Sequence, residues 1–528
     1  MKRLIQVILV IVIPEIIIFT LIGTINPDKI IMPFDNSKIQ RVQHDSLPAD
    51  HKTFASLQKD FKSGQEVTAA CLKCHTNRGK EFMHNEHWKW LKTDTTIDGK
   101  VVVLGKENVP NNFCIGINSN EHHCSECHAG YGYGNKDFDF HDQNNIDCLA
   151  CHDNTKTYKK GEDGEPASSV NLSYVAQHVG YPTRENCLEC HGKGGGGNNV
   201  KHGDLEMAQV SCTRDVDVHM ANKKKGDLNM ECTACHKTHN HHISGDLYTL
   251  STSNNNSMGC TQCHTEAPHK SKLLNQHFQQ VACQTCHIPT YAKVNPTKVD
   301  WDWSTAGQFD HGEPYREIDS LSPDSFSKYS TGHGTAIMAK HLTPDYVWFN
   351  GNAKIHMFTD KITESPMVFN KLIGSYEDNI NPKDINHPSK IYPVKIMHGK
   401  QIYDYNYKTL IQPHTVGPKG SGAYWSDFDW NASARTGMAY LGLPYSGKYA
   451  FVKTESYWLL NHMVSPKEEA LKCESCHSHH SRLAKLTGFY LPGRDKNSAI
   501  EIGGVLFLIL VILGVGGHTT LRILSKKQ

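Results

Sequence analysis

The pentapeptide Cys-x-x-Cys-His recurs along this 528-residue chain, and it constrains the fold more than any other feature. It occurs eight times, numbered here motif 1 to motif 8, and takes sixteen of the eighteen cysteines. Seven copies lie between residues 71 and 287, which leaves little sequence to build a protein-only core. The cysteines and the histidine of the successive motifs are Cys71, Cys74 and His75; Cys124, Cys127 and His128; Cys148, Cys151 and His152; Cys187, Cys190 and His191; Cys232, Cys235 and His236; Cys260, Cys263 and His264; Cys283, Cys286 and His287; and Cys473, Cys476 and His477.

The spelling of the motif indicates its chemistry. Two thiols three residues apart can form thioethers with the two vinyl groups of one haem, and the histidine that follows supplies the proximal nitrogen to the iron. A zinc site needs four ligands, usually from two Cys-x-x-Cys pairs, and does not require histidine after every second cysteine. The chain is therefore predicted to carry eight covalently bound haem c groups. Cys114 and Cys212 remain outside the motifs.

Apolar segments near both termini predict where the protein resides. Residues 4–22 are apolar, follow two basic residues and lack a small-x-small cleavage site, which favours an uncleaved anchor over a cleaved signal sequence. A second apolar run, residues 502–517, precedes a basic tail, and basic flanks prefer the cytoplasm. Because haem c is attached outside the bacterial cytoplasm, we expect an inner (cytoplasmic) membrane protein whose haem domain faces the periplasm or the cell exterior. The net charge of +1 gives no indication of a nucleic-acid partner.

The motif spacing and the composition predict four segments. Residues 1–28 would form a signal-anchor or transmembrane helix, and residues 29–290 a haem-rich domain with seven motifs. Residues 291–495 would form a haem-poor, aromatic-rich region ending with motif 8, and residues 499–521 a C-terminal transmembrane helix. Since alternating strand patterns are few, the expected fold is mainly α with much irregular structure, built around the haems.

A low-potential electron carrier needs a second strong ligand for each iron, and this ligand is usually histidine. Each candidate could instead be a surface histidine or one that supports a ligand. His178 and His202 are further candidates, whereas His479 and His480 are expected in a solvated tail. The preferred distal ligands, chosen by their position near motifs or in short helical stretches, are His87, His219, His239, His277 and His462.

Several longer strings carry a resemblance to a known family. They include "NFCIG", "CSECHAGYGYGNKDFDF", "VAQHVGYPTRENCLECHGKGGGGNNVKHGDL", "LNQHFQQVACQTCHIPTYAK" and "NHMVSPKEEALKCESCHS". Over about residues 55–495 the chain resembles the octahaem c-type cytochromes of the tetrathionate reductase type. These are distant relatives of hydroxylamine oxidoreductase and of the multihaem nitrite reductases. The membrane segments are not part of this resemblance.

The resemblance implies that one haem differs from the other seven. Seven would have two histidine ligands and relay electrons, whereas the motif 2 haem would have a lysine ligand beside a cysteine, here Cys114. Lys201 is the best match, because "GGGGNNVKHGDL" puts it after glycines that allow close backbone approach, in a polar cluster with Asp204. A lysine ligand must be neutral, which burial and the iron would favour. The alternatives are Lys156, Lys159 and Lys160 in "CHDNTKTYKK". Asn198 and Asn199 stand where the family pattern has an acid, which leaves the proton donor open.

The role of Cys114 has three competing interpretations: a catalytic thiol, a buried apolar residue, or one half of a disulfide with Cys212. A buried free cysteine is commonly a small apolar residue, which suits Cys212 better, and in the periplasm the two could form a disulfide. A catalytic thiol would have to become a thiolate, which nearby positive charge favours.

Two classes of function follow from these features. The first is a reductase of tetrathionate, nitrite or hydroxylamine, with Cys114, Lys201 and Asp204 as the catalytic residues. The second is a non-enzymatic electron conduit between the quinone pool and periplasmic partners. Either function would take a quinol or a periplasmic cytochrome as electron donor. Hydroxylamine oxidation ranks last, because it needs a tyrosine cross-linked to the catalytic haem and no tyrosine in the sequence stands out for that role.

Overall fold

The computed structural model describes residues 49–96, 98–110, 116–134, 136–246, 258–318, 327–381 and 388–525. The chain divides into two compact units. In the described part, the larger unit comprises residues 49–260 and 282–471, and the smaller one comprises residues 261–281 and 472–525. The predicted helix at residues 1–28 and Cys114 lie outside the described residues.

Helices are short through the haem-rich region, and most of the motifs lie on them. This placement has a physical reason, because residues i and i+3 of one helical turn share a face, so both thiols of a motif point to the same side. The helices are α1 Gly64–Leu72, α2 Arg78–Phe82, α3 Glu121–Cys124, α4 Leu149–His152, α5 Leu172–Gln177, α6 Arg184–His191, α7 Cys232–Cys235, α8 Lys272–His277, α9 Cys283–His287, α10 Tyr376–Ile380, α11 Tyr424–Asp427, α12 Trp430–Leu441, α13 Cys473–Cys476 and α14 Ser498–Ser525.

An eight-stranded sheet dominates the haem-poor part of the larger unit. The strands of the described residues are β1 Leu91–Thr95, β2 Val101–Gly105, β3 Thr238–His239, β4 His242–Ile243, β5 Thr297–Asp302, β6 Phe309–Asp310, β7 Glu313–Pro314, β8 Arg316–Ile318, β9 Ser327–Ser330, β10 Gly334–Ala339, β11 Asp345–Phe349, β12 Ala353–Ile355, β13 Met367–Val368, β14 Asn370–Leu372, β15 Lys390–Asp404 and β16 Tyr449–Leu459. The order of strands in the eight-stranded sheet is β13-β16-β15-β5-β10-β9-β8, and β11 also pairs with β15.

The centre of this sheet is the antiparallel pair β15 and β16, in register from Val394↔Leu459 to Asp404↔Tyr449. Aromatic side chains fill the adjoining core, where the rings of Trp301 and Trp303 stack at 4.4 Å. The structure contains 30% helix and 19% strand, so the expectation of a mainly α fold was wrong for this region. The haem-poor residues form a β scaffold because they can bury apolar side chains against one another, whereas the haem-rich residues are too closely spaced for long elements.

Helix α14 stands out from the rest of the smaller unit by its composition. Within Glu501–Ser525, an 18-residue stretch has a mean hydropathy of 2.1, and none of that stretch is buried. It is long and apolar enough to cross a membrane, at about 1.5 Å per residue. It coincides with the segment predicted at residues 499–521.

Candidate haem-binding and substrate site

At least five motif histidines face a second histidine across a constant gap. The ring centroids of each pair are 6.3 to 6.4 Å apart. Four pairs lie in the larger unit and one in the smaller unit. The pairs are His75 with His51, His152 with His241, His191 with His202, His236 with His462, and His477 with His277.

This gap fits one metal ion between two imidazoles. Two metal–nitrogen bonds of about 2 Å each, added to the distance from each nitrogen to its own ring centre, account for the separation. Direct imidazole–imidazole hydrogen bonds would bring the rings closer. The donor set therefore fits a haem iron with two histidine ligands, and the adjacent cysteines fit its covalent attachment.

Hydrogen bonds at the opposite ring nitrogen orient these histidines. Nδ1 of His152 donates to the carbonyl of Gly180 at 2.7 Å, and Nδ1 of His236 donates to that of Ser244 at 2.9 Å. Such bonds fix the tautomer and leave Nε2 free for a metal. Burial lowers the pKa of His191 to about 3, so its imidazole is neutral, as ligation requires.

Two of the five preferred distal histidines, His277 and His462, occur in such pairs. His87 lies 5.9 Å from His191, ring centroid to ring centroid. His202 lies 6.4 Å from the same His191, which is the spacing that the other pairs have. The backbone N–H of His219 donates to Asp217, and His239 contacts Asn240. No described geometry supports or excludes these three as ligands of other motifs.

Sequence reasoning missed His51 and His241. His51 lies upstream of motif 1 in a short turn, and His241 stands two residues after the favoured His239. His241 has a positive φ of 59°, and its Nδ1 contacts Glu81 at 3.2 Å. A search for every histidine near a short turn could have found both.

Thiols of different motifs contact one another within the larger unit. The contacts join motif 1 to motif 3, motif 2 to motif 4, motif 4 to motif 5, and motif 6 to motif 7. The thiol pairs are Cys71 with Cys148, Cys127 with Cys190, Cys187 with Cys232, and Cys260 with Cys283. Since each thiol marks the edge of the group that its motif would attach, these attached groups would lie edge to edge.

Motif 2 has surroundings unlike those of the histidine pairs. The ring of Trp90 lies 4.9 Å from that of His128, and the ring of Tyr133 lies 5.7 Å from it. Burial lowers the pKa of His128 well below its usual value, and nearby lysines, including Lys201, act in the same direction. Lys201 Nζ itself lies 5.0 Å from the ring centroid of Trp458.

The three alternative lysines, Lys156, Lys159 and Lys160, either have other contacts or are exposed. Lys160 Nζ is 2.9 Å from Asp147 Oδ2 and also donates to the carbonyls of His128 and Gly130. Lys156 forms an exposed ion pair with Glu185. Lys159 is exposed as well. Lys160, which adjoins motif 2, is therefore engaged by a carboxylate and two carbonyls, and Lys201 remains the predicted ligand.

Asp204 is the third residue predicted to be catalytic, and its contacts lead to motif 5. It is 1% exposed, and its Oδ2 accepts hydrogen bonds from the backbone N–H groups of Asn461 and His462 at 2.8 and 3.0 Å. The Nδ1 of His462 lies 3.2 Å from the same oxygen. Burial opposes the charged form, but the bonds and charge of His462 outweigh it, so the pKa of Asp204 is lowered. Asp204 therefore supports a distal histidine; no described contact links it to motif 2.

A cavity of about 420 Å³ adjoins the aromatic cluster at motif 2. Trp90, Glu107, Glu121, Lys136 and Tyr440 are among its lining residues. Burial raises the pKa of Glu121, although Tyr440 and backbone hydrogen bonds partly oppose this shift. A carboxyl of this kind can hold a proton at a higher pH than an exposed one.

Comparisons with known proteins indicate the class to which the chain belongs. Residues 298–480 match the family described as "Cytochrome c bacterial". The solved structure described as "Crystal structure of octaheme cytochrome c from Shewanella oneidensis" is 41% identical, with a TM-score of 0.74, over 82% of this chain and 95% of that one. An uncharacterized protein of Archaeoglobus fulgidus is 25% identical over an alignment of 227 residues, and the match covers 33% of this chain and 74% of the relative.

Proposed function

The chain belongs to the octaheme cytochrome c family, and from that premise we propose that it is a membrane-anchored periplasmic reductase of small sulfur or nitrogen oxyanions. It is a multihaem c-type cytochrome with an electron-transfer function. The number of haems, the substrate class, the anchoring and the lysine ligand are parts of the proposal. Tetrathionate, nitrite and hydroxylamine are the substrates to test first.

The proposal assigns two histidine ligands to most of the haems and one lysine ligand to the motif 2 haem. His51, His241, His202, His462 and His277 would be distal ligands for motifs 1, 3, 4, 5 and 8. When bound, the motif 2 haem supplies an iron site and electrons for reduction of the substrate. The proposal rests on the position of Lys201 near motif 2, where it is one of the cations, with Lys106 and Lys160, that lower the pKa of His128, whereas Lys160 is paired with Asp147.

Contacts between thiols support the relay function. They join motifs 1 and 3, and they also form a series from motif 2 through motif 4 to motif 5. Close spacing of this kind is what the chain contributes to electron transfer, because it holds the attachment points in fixed positions. The donor would be a quinol or a periplasmic cytochrome, and α14 would keep the protein at the membrane, near such donors.

The chain's own groups would also handle charge and protons at motif 2. Lys136, which lines the adjoining cavity, offers positive charge that would stabilise an anionic substrate. Glu121, on the wall of the adjoining cavity, is suited to hold a proton for a reduction that consumes protons. This supplies a candidate for the acid that the sequence lacks at Asn198 and Asn199. Cys114 would hold or help to cleave a sulfur substrate.

A second candidate function is a membrane-tethered conduit in which every iron has two protein ligands. The five histidine pairs favour it, because each would leave no open position for a substrate. The reductase predicts that the chemically reduced protein binds about one CO per chain, since a weak ligand can be displaced at one haem. The conduit predicts none.

Turnover of tetrathionate, nitrite and hydroxylamine is then compared in wild type, Cys114→Ala and Cys212→Ala. Cys212 is 4% exposed and also lies outside the motifs, so its variant controls for loss of a thiol. Cys114→Ala should retain every haem and lose turnover of the sulfur substrate, whereas Cys212→Ala should keep it. Absence of both CO binding and turnover in wild type would overturn the reductase proposal.

A further inference from the structure

Residues 200–204 bring together groups that belong to three different motifs. Lys201 is the proposed ligand of the motif 2 haem. His202 faces His191 of motif 4 at 6.4 Å, centroid to centroid, and Asp204 orients His462, which faces His236 of motif 5 at the same spacing. A shift of this short stretch would therefore disturb three haem sites at once.

A buried lysine from the central strand of the sheet holds the backbone of this stretch. Lys395, on β15, is 0% exposed. Its Nζ donates to the carbonyls of Val200 and Lys201 at 3.0 and 2.9 Å and to Oγ1 of Thr297 at 2.5 Å. Thr297 Oγ1 also donates to the Val200 carbonyl, at 3.1 Å. Two polar side chains, Lys395 and Thr297, thus donate three hydrogen bonds to the two peptide carbonyls.

The partner strand holds the side chains of the same residues. Trp458, on β16, is the cross-strand neighbour of Lys395. Its ring lies 5.1 Å from the ring of His202, edge to face, and 5.0 Å from Nζ of Lys201. Two adjacent strands therefore act on residues 200–202: β15 binds the carbonyls of Val200 and Lys201, and β16 contacts the side chains of Lys201 and His202.

The backbone here needs such support because it forms no regular element. Residues 200–204 lie in bends outside any helix or strand, and Gly203 has a φ of +85°. A Cβ at Gly203 would lie 2.9 Å from the ring of Tyr291 and 3.2 Å from Cδ of Lys395. The carbonyls of Val200 and Lys201 would be unpaired buried acceptors without an external donor, which proteins generally avoid.

We propose that Lys395 is a positioning residue that fixes residues 200–204, so that the haem ligands contributed by Lys201 and His202 are set by one side chain of the sheet. The part that concerns Lys201 rests on the proposed function; the part that concerns His202 rests on the histidine pair alone. Lys395 acts through the backbone and contacts neither substrate nor iron.

The test uses the full-length, haem-loaded protein and the variant Lys395→Met, which keeps the length of the side chain and removes its donor. Electron paramagnetic resonance and near-infrared magnetic circular dichroism report the ligation of individual haems. The variants Lys201→Ala and His202→Ala assign the signals of the two haems. Lys298→Met is the matched control, because Lys298 is equally buried, on the neighbouring strand β5, and its Nζ lies 3.1 Å from the ring centroid of Trp301.

Lys395→Met should retain every covalent haem and shift the signals that Lys201→Ala and His202→Ala assign, leaving the others in place. Hydrogen exchange across residues 200–204 should become faster. Lys298→Met should change neither readout. If Lys395→Met leaves all the signals as in wild type, or changes them only as Lys298→Met does, the inference is wrong.

Two outcomes separate this inference from the proposed function. If Lys201→Ala changes no signal, the lysine ligand fails, and Lys395 is judged on the His202 signal alone. If Lys201→Ala changes a signal that Lys395→Met leaves intact, the ligand stands and the positioning role fails. If Lys395→Met does not accumulate as folded protein, Thr297→Val, which is nearly isosteric, takes its place in the test. It removes the hydrogen bond from Lys395 Nζ to Thr297 Oγ1 and the bond from Thr297 Oγ1 to the Val200 carbonyl. It should shift the same signals by less, and an unchanged spectrum overturns the inference.

Discussion

Replacement of Asp204 by asparagine should raise the reduction potential of one haem, the one attached at motif 5. Asp204 is nearly fully buried, and its Oδ2 accepts three contacts, from the backbone N–H groups of Asn461 and His462 and from His462 Nδ1. A carboxylate behind a ligating imidazole makes the ligand more basic and favours the oxidised iron. Asparagine keeps the shape and an acceptor oxygen but removes the charge.

The magnitude follows from the loss of charge assistance. A hydrogen bond to a charged group contributes about 1.5 to 3 kcal/mol and a neutral one about 0.5 to 1.5 kcal/mol, so the difference is about 1 to 1.5 kcal/mol. For a one-electron couple, about 1.4 kcal/mol corresponds to about 59 mV. We therefore expect an upward shift of about 40 to 60 mV for this haem.

The assay is a spectroelectrochemical titration of wild type, Asp204→Asn and Asp404→Asn. Asp404 is the matched control, because it is 0% exposed and accepts hydrogen bonds from the backbone N–H groups of Asn406, Tyr407 and Ser446, with no described contact to histidine. Asp404→Asn should leave every potential unchanged. The reasoning is refuted if Asp204→Asn shifts no potential, or if both variants shift the same one.

Three further predictions test the rest of the account. Mass spectrometry of the mature protein should show eight haem additions, all on motif cysteines; haem on Cys114 or Cys212, or a smaller number, would contradict the motif assignment. Washing membranes with high salt should leave the protein bound and detergent should release it, because α14 is long and apolar enough to span; release by salt alone would count against the anchor. Glu121→Gln should raise the apparent Tm over wild type more at pH 8 than near pH 4. Burial raises the pKa of Glu121 in the folded protein, so the protonated carboxyl stabilises the fold fully below the unfolded pKa of about 4.3. This stabilisation is lost as the pH rises through the folded pKa, and glutamine, which carries no charge, does not lose it. Tyr440 and His414 also act on the Glu121 carboxyl. If the Tm difference between variant and wild type does not vary with pH, the change in stability comes from these neighbours or from packing and not from ionisation of Glu121.

The haem attachment sites could be predicted because their chemistry is local. Both thiols and the proximal histidine must lie within five residues, so spacing alone predicts them, and the helical turns α4 and α6 coincide with motifs 3 and 4. Distal ligands are a long-range property. His462 faces His236 across more than two hundred residues of sequence, and no local pattern marks that partnership.

The sheet was missed because its central strand does not look like one. Strand β15 contains Pro393, His398 and Gly399, which are uncommon or neutral in strands, and Lys395 is completely buried. A buried lysine interrupts the apolar alternation on which strand prediction depends. The same residue holds the backbone of Lys201, so the position that misled the pattern is also the one that supports the site.

The choice of Lys201 over Lys160 also needed the tertiary structure. Both lysines follow a motif in a polar stretch, and the sequence left them as alternatives. The ion pair of Lys160 with Asp147, both nearly fully buried, is what separates them. Asp147 lies thirteen residues upstream, adjoining motif 3, and nothing in the spelling of that segment predicts the pair.

The most direct test of the central claim is near-infrared magnetic circular dichroism of oxidised wild type, Lys201→Ala and Lys160→Met. If Lys201 is the ligand of the motif 2 haem, wild type should show one histidine–lysine band among bis-histidine bands. This band should be lost in Lys201→Ala and retained in Lys160→Met. A wild-type spectrum of bis-histidine bands alone, or a histidine–lysine band that survives in Lys201→Ala, would contradict it.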